Sequence, residues 1–267
     1  MTLNIVAILI LPFLIIGIIN RIKALMVGRR GQNLLQPLYH FFKLLQKDEV
    51  VSRSSSVITH IAPAMALAAT ICASFFVPFL NQRSILGFKG DFLLVMYLIA
   101  FAKGVMVLAA MDSGSSFEGM GASREISFTA FLEPAFLLIF ASLIYREFLS
   151  PLSVLITRHS VDIHNVWSLI IALLIAIALY IMLLVESARV PFDDPNTHLE
   201  LTMIHEVMIL DFSGFSLALI HYTSALKLLI YRSAEHTYEL KSPNTISYYV
   251  FCLKNNTKQT TLLSLPK

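Results

Sequence analysis

The chain reads as an all-α protein, a polytopic transmembrane helix bundle of about six spans with one additional amphipathic helix lying in the membrane interface. Two observations predict this class. Of 267 residues, 57% are hydrophobic and only 14% charged, with a mean hydropathy of +0.73. Several apolar runs reach the roughly 17 to 25 residues that about 30 Å of hydrocarbon demands of a helix. A third observation orients the bundle. Seven of the 20 Lys and Arg residues (Arg21, Lys23, Arg29, Arg30, Lys43, Lys47 and Arg53) fall together after the first run. That cluster places its loop in the cytoplasm and the N-terminus outside. Residues 1–231 form the transmembrane domain in this reading, and 232–267 a polar tail of uncertain structure.

The first run, Leu3 to Ile19, contains Pro12 and has nothing basic before it; without the positive start of a secretory signal it reads as a retained helix. Asn33 to Lys47 sets Leu34, Leu35, Leu38, Phe41, Phe42 and Leu45 on one helical stripe opposite Gln36, His40, Lys43 and Lys47. This suits a helix lying flat in the interface, and equally one packed on other protein. Val57 to Leu80 is the second span, with Pro63 and Pro78 as kinks. Phe92 to Met111 is the third and holds Lys103 near its middle. A charge at that depth costs at least about 2.5 kcal/mol, so it faces the interior and pairs with an acid, or else snorkels. Asp112 to Ser127 reads as a short Gly- and Ser-rich loop. It lacks the ending of a phosphate loop.

Ile126 to Tyr145 is the fourth span and contains Glu133-Pro134. A carboxyl group inside an apolar helix is a functional candidate, with a protonated structural acid as the alternative. Glu125 and Glu133 would stand about 12 Å apart along one helix and roughly 80° around it, a gap that water can bridge. Val166 to Val185 is the fifth span, opened by Trp167. Phe215 to Tyr231 is a weaker sixth, interrupted by His221 and Lys227.

Between the last two spans, Glu186 to Gly214 carries Glu186, Asp193, Asp194, Glu200, Glu206 and Asp211 against the one cation Arg189. Pro191 and Pro195 bend this segment. Its acids either face water or serve a site. Glu186 and Arg189 stand at i and i+3 and can pair if the helix continues a turn. His205-Glu206 lacks the second histidine of a zinc-protease motif. Cys72 and Cys252 are too few and too far apart for a disulfide framework, a cluster or a zinc site, so any redox centre belongs to a partner.

ESARVPFDDP followed by HLEL resembles the signature loop of the membrane subunit shared by respiratory NADH:quinone oxidoreductases and membrane-bound nickel–iron hydrogenases, the NADH dehydrogenase subunit 1 family. THLELTMIHEVM and DSGSSFEGMGASRE are similar to its formate-hydrogenlyase and hydrogenase-4 branch, and GRRGQNLLQPLYHFFKLLQK to its first cytoplasmic segment. The resemblance covers roughly Leu3 to Tyr231. Beyond it the family continues with further membrane helices, where Arg232 to Lys267 is polar apart from Ile246 to Leu253. A divergent tail and a lost or truncated reading frame are both open.

The resemblance implies a multi-pass subunit of the inner (cytoplasmic) cell membrane. It implies no cofactor bound by this chain, with the nickel–iron centre and iron–sulfur clusters in partners. Those partners are hydrogenase large and small subunits, other iron–sulfur subunits, antiporter-like membrane subunits and the bilayer, with no nucleic acid. No catalytic or metal-ligating residue is implied. The candidates for a proton relay are Glu125, Glu133, Glu186, Asp193, Glu200 and Glu206, with Lys103, Arg124 and Arg189 as electrostatic partners. Three other readings compete: a subunit whose loops shape a quinone pocket, a passive anchor whose acids bind the peripheral arm, and a free-standing ion transporter. The last ranks lowest, because no inverted repeat is visible.

The predicted orientation is directly measurable. Cysteines introduced at Ser115 and Asn196 are expected to escape a membrane-impermeant thiol reagent applied outside intact cells; labelling of both overturns it.

Overall fold

A computed structural model describes residues 2–147 except 51, 53, 78 and 80–83, and then residues 166–188, 192–193 and 203–239. Among the described residues every regular element is a helix: α1 Thr2–Met26, α2 Gln36–Leu45, α3 Val57–Phe76, α4 Asp91–Asp112, α5 Ser116–Glu147, α6 Val166–Glu186, α7 His205–Met208 and α8 Gly214–Glu239. Four stretches are long and apolar enough to cross a membrane, namely Ile8–Met26, Val57–Phe76, Asp91–Asp112 and Gly214–Tyr231. The fourth and fifth expected spans correspond to α5 and α6. In α6 the apolar portion found is Leu173–Glu186.

Four boundaries differ from the sequence reading. Helix α3 ends at Phe76, short of the expected Leu80, because Val77 turns extended. Helix α1 runs on through Arg21 and Lys23, so the basic cluster begins on the helix itself. The expected loop from Asp112 to Ser127 is almost wholly helix, because α5 starts at Ser116 and absorbs Gly119 and Gly121. Glycine lowers helix propensity by about 1 kcal/mol, an amount that tertiary packing routinely overrides. Helix α8 continues past Tyr231 to Glu239, so the polar tail begins as a helix.

At the centre, α3 packs on α4 and α8, and α8 packs in turn on α1 and α2. The α3 side of this seam is built from Ala62, Ala66, Ala69 and Ala73, all buried, with Thr70 and Ser74 beside them. Small side chains at three- and four-residue spacing let helix backbones approach closely, which drives association where lipid is as apolar as the helices. Thr70 and Ser74 return their hydroxyl hydrogens to carbonyls of their own helix, Thr70 to Ala66 and Ser74 to Ile71.

Helix α2 lies in the groove between α1 and α8. Phe41 meets Phe13 of α1 and Tyr222 of α8 with ring centroids 5.2 and 5.7 Å away, and the Tyr222 hydroxyl donates to Ile8 O across the groove. The seam toward protein comprises Leu38, Phe41, Leu44 and Leu45, whereas Leu34, Leu35 and Phe42 of the expected stripe are exposed. Helix α2 therefore packs on protein and also shows an apolar outer edge.

The three segments predicted to share the cytoplasmic side meet at one end of the bundle. Asp112, ending α4, accepts the Ser56 N–H and the hydroxyls of Ser56 and Thr59 at the start of α3. Ser54 donates to Ser113 O. Val50 and Ser213 exchange two hydrogen bonds, and Ser216 bonds Glu49. Gly214 opens α8 with φ +51°, and a Cβ there would lie 2.6 Å from Asp48 O. Only glycine fits that backbone and that closeness.

Ala66→Leu is expected to destabilise the chain by about 1–3 kcal/mol through overpacking of the α3–α4 seam. Leu108→Ala, on the exposed face of α4, should change stability by about 0.5 kcal/mol or less. The comparison is read from unfolding of the detergent-solubilised chain, and equal effects would contradict the seam.

Candidate functional site

Lys103 points inward from the middle of α4, with a side chain only 8% exposed. Its Nζ lies 3.4 Å from Glu125 Oε1 on α5 and forms an ion pair with Glu186 at the end of α6, whose side chain is 4% exposed. Thr129 Oγ1, one turn beyond Glu125, is 3.5 Å from the same ammonium. Three helices thus converge on one cation. In low dielectric an unpaired ammonium is prohibitively costly, and two carboxylates with a hydroxyl are what makes its burial tolerable.

A small cavity of about 20 Å³ opens beside this pair, lined by Lys103, Glu133, Glu186 and Tyr231 among apolar side chains that include Ile99 and Met182. Glu133 follows Glu125 and Thr129 at four-residue steps, so all three share one side of α5. Glu186 Oε1 makes no hydrogen bond among the described residues. The cavity is wide enough for water, and its polar rim supplies the partners that a buried water requires.

Two members of this cluster come from α8, which the sequence reading did not enlist. Tyr231 lines the cavity. Lys227, one turn before it, acts electrostatically on Glu186, Lys103 and Glu125. Their i, i+4 spacing inside an apolar run was a legible signal, because such a pair shares a helix face. His205 on α7 was also passed over. Burial first, then the positive charge of Lys227, with His221 and Lys103 adding to it, holds its imidazole down to about 4. His205 is therefore neutral at neutral pH.

Of the expected relay residues, Glu125, Glu133 and Glu186 come together around Lys103. Asp193 does something else: buried at 2% exposure, it accepts the backbone N–H groups of Ile204 and His205 at 3.1 and 2.9 Å, holding the entrance to α7. Arg124 donates to Met203 O at 2.9 Å, tying α5 to the same segment. Glu206 is exposed on α7. Helix α6 stops at Glu186 and Ala188 turns to φ +47°; Glu186 pairs with Lys103, and the expected Glu186–Arg189 pair falls outside the described residues. Arg189, Asp194 and Glu200 lie outside the described residues. Among the described residues no group of three or more His, Cys, Asp or Glu side chains could hold a metal ion.

A sequence-family profile described as NADH dehydrogenase matches residues 1–237. Hydrogenase-4 component C of Escherichia coli (strain K12) is 27% identical over 228 residues, which is 85% of this chain and 70% of that protein. Formate hydrogenlyase subunit 4 of the same organism is 30% identical over 125 residues, covering 47% of this chain and 41% of its own length. Among solved structures, a chain in the archaeal membrane-bound sulfane sulfur reductase, a respiratory membrane complex, superposes with a TM-score of 0.71 at 23% identity. That match covers 88% of this chain and 75% of the other, and it shows a shared fold.

Lys103→Met should cost about 3–5 kcal/mol, because it leaves Glu125 and Glu186 buried without their cation. Lys103→Met combined with Glu186→Leu should recover a large part of that loss, giving a non-additive cycle. Unfolding of the purified single and double variants measures both, and strict additivity would argue against the pair.

Proposed function

The chain belongs to the NADH dehydrogenase family, and from that premise we propose that it is an integral membrane subunit of a hydrogenase complex of the hydrogenase-4 or formate-hydrogenlyase kind. In this reading it sits in the inner cell membrane. It docks a peripheral arm that carries the nickel–iron and iron–sulfur groups, and it relays protons toward antiporter-like membrane subunits. The observation that carries the relay is the buried Lys103 with Glu125 and Glu186 around it and Glu133 and Tyr231 across the adjoining cavity.

The residues divide the work. Lys103 anchors two carboxylates in apolar surroundings and keeps them from leaving for solvent. Three carboxyl groups near the two ammonium groups of Lys103 and Lys227 leave one acidic group without a cation of its own, and such a group takes up or gives away a proton as its surroundings shift. Glu133 fits this description, since among the described residues no ion pair is found for it. The Tyr231 hydroxyl both donates and accepts, so it can pass a proton between groups on the cavity wall. The end of the bundle where residues 47–59, 112–118 and 203–216 meet is the surface offered to the arm. Displacement there reaches the cluster through α7, which carries His205.

Glu133→Gln keeps volume and hydrogen bonding but removes the titrating proton. With the complex assembled normally, hydrogen production or the proton movement linked to it should fall by at least about tenfold. If assembly, turnover and proton movement all persist unchanged, Glu133 relays nothing and the chain acts as an anchor.

A further inference from the structure

Glu118, in the first turns of α5, is fully buried, at 0% exposure. It lies on the loop side, ahead of the apolar stretch of its helix. Its Oε1 accepts the backbone N–H of Asp211 at 2.8 Å, while Oε2 makes no hydrogen bond among the described residues. Ser113 Oγ stands within reach of the carboxyl, but its hydrogen is already donated to Ala110 O at 2.9 Å, and it receives the Ser115 N–H. Ser113 therefore has a lone pair to offer and no hydrogen to give. A carboxylic acid can use that lone pair and a carboxylate cannot. Burial pushes the Glu118 carboxyl up and the negative charge of Asp211 acts in the same direction, against the hydrogen bond that the carboxyl accepts from the Asp211 N–H.

The segment that Glu118 touches is a strap, residues 203–213, carrying α7. Its last residue, Ser213, is tied to Val50, and three side chains from outside it hold the rest. Arg124 holds Met203 O, Asp193 holds the N–H groups of Ile204 and His205, and Glu118 holds that of Asp211. The strap also seats on Gly121, where an added Cβ would lie 3.0 Å from both Ile204 O and Met208 Cγ. Arg124 keeps its charge at any ordinary pH, and both Asp193 oxygens are engaged. Glu118 is the tie with an oxygen to spare.

We propose that Glu118 is a proton-binding site whose bound proton fastens the 203–213 strap to α5 and thereby sets how closely His205 approaches Lys103 and Lys227. Loss of the proton leaves a buried anion beside Asp211, which Ser113 can answer only by releasing Ala110 O. The proton comes from the loop end, where a small pocket whose lining includes Glu49, His60, Ser113 and Asp211 adjoins the site. Of the other ionisable groups nearby, Asp112 is engaged by Ser56 and Thr59, Glu49 is engaged by Ser216, and His205 and Glu206 ride on the strap itself. An acid whose affinity for protons is raised in the docked state favours docking at low pH. Docking weakens as pH rises from the ordinary glutamate value through the raised one, and is constant above it.

The inference stands on the strap's geometry, so its failure would leave the relay reading intact and the converse also holds. The test uses the full chain in lipid nanodiscs. Infrared titration should show a protonated-carboxyl band that is absent in Glu118→Gln. Amide hydrogen exchange across 203–213, corrected for the intrinsic rate, should lose protection by up to about tenfold per pH unit within the titration window. In Glu118→Gln that dependence should vanish with the strap held down, since the amide accepts from Asp211 N–H and donates to Ser113. An unchanged carboxyl band in Glu118→Gln, or the same pH dependence of strap protection in both proteins, overturns the proposal.

Discussion

The burial of Lys103 is the constraint on which the described structure turns. An ammonium at mid-span is tolerable only with acids at contact distance, and α4 has none of its own within reach along that face. The acids arrive from α5 and α6, through Glu125 and Glu186. One side chain therefore dictates which helices neighbour α4 and at what height, since a shift of one turn, about 5.4 Å, would strand the charge. Such pairs add little net stability compared with apolar packing, but they penalise every other register.

A different interaction holds α3, α4 and α8 together. Their alanine-rich seam contains no ion pair in its buried core and depends on closeness of backbones. The same helices turn large apolar side chains such as Leu93, Tyr97, Leu108 and Met111 outward. Large apolar side chains turned outward around a seam of small ones match a hydrocarbon surround.

At the loop end the cohesion is polar. Asp112, Ser113, Ser213 and Glu118 knit three chain segments that are distant in sequence, with side chains taking up backbone groups that no helix satisfies. Asp193 and Arg124, which a reading of charge alone assigns to the relay, belong to this framework. Their hydrogen bonds position α7, and α7 stands between the loop end and the Lys103 cluster. Coupling between the two sites needs an element that both can move, and the strap is placed to be that element.

The sequence by itself determined the class of fold, because apolar runs of membrane length leave helices as the economical way to satisfy backbone groups. It also required that Lys103 either pair with an acid or snorkel, and it marked Glu125, Glu133 and Glu186 as candidate acids. Helix limits were less legible. The glycines and serines after Asp112 suggest a loop, yet packing of Gly121 against α7 makes helix the better state. What only the tertiary structure decided was partnership. Glu186 stands in the sequence three residues from Arg189, and it is the packing of α6 against α4 that brings it to Lys103. Lys227 and Tyr231 entered the site because α8 brings one face to the cavity, and Glu118 became a buried acid because Asp211, 93 residues away, closes over it. Local pattern reports the cost of placing a charge in an apolar helix, but the group that offsets this cost is chosen by contacts between segments far apart in the chain.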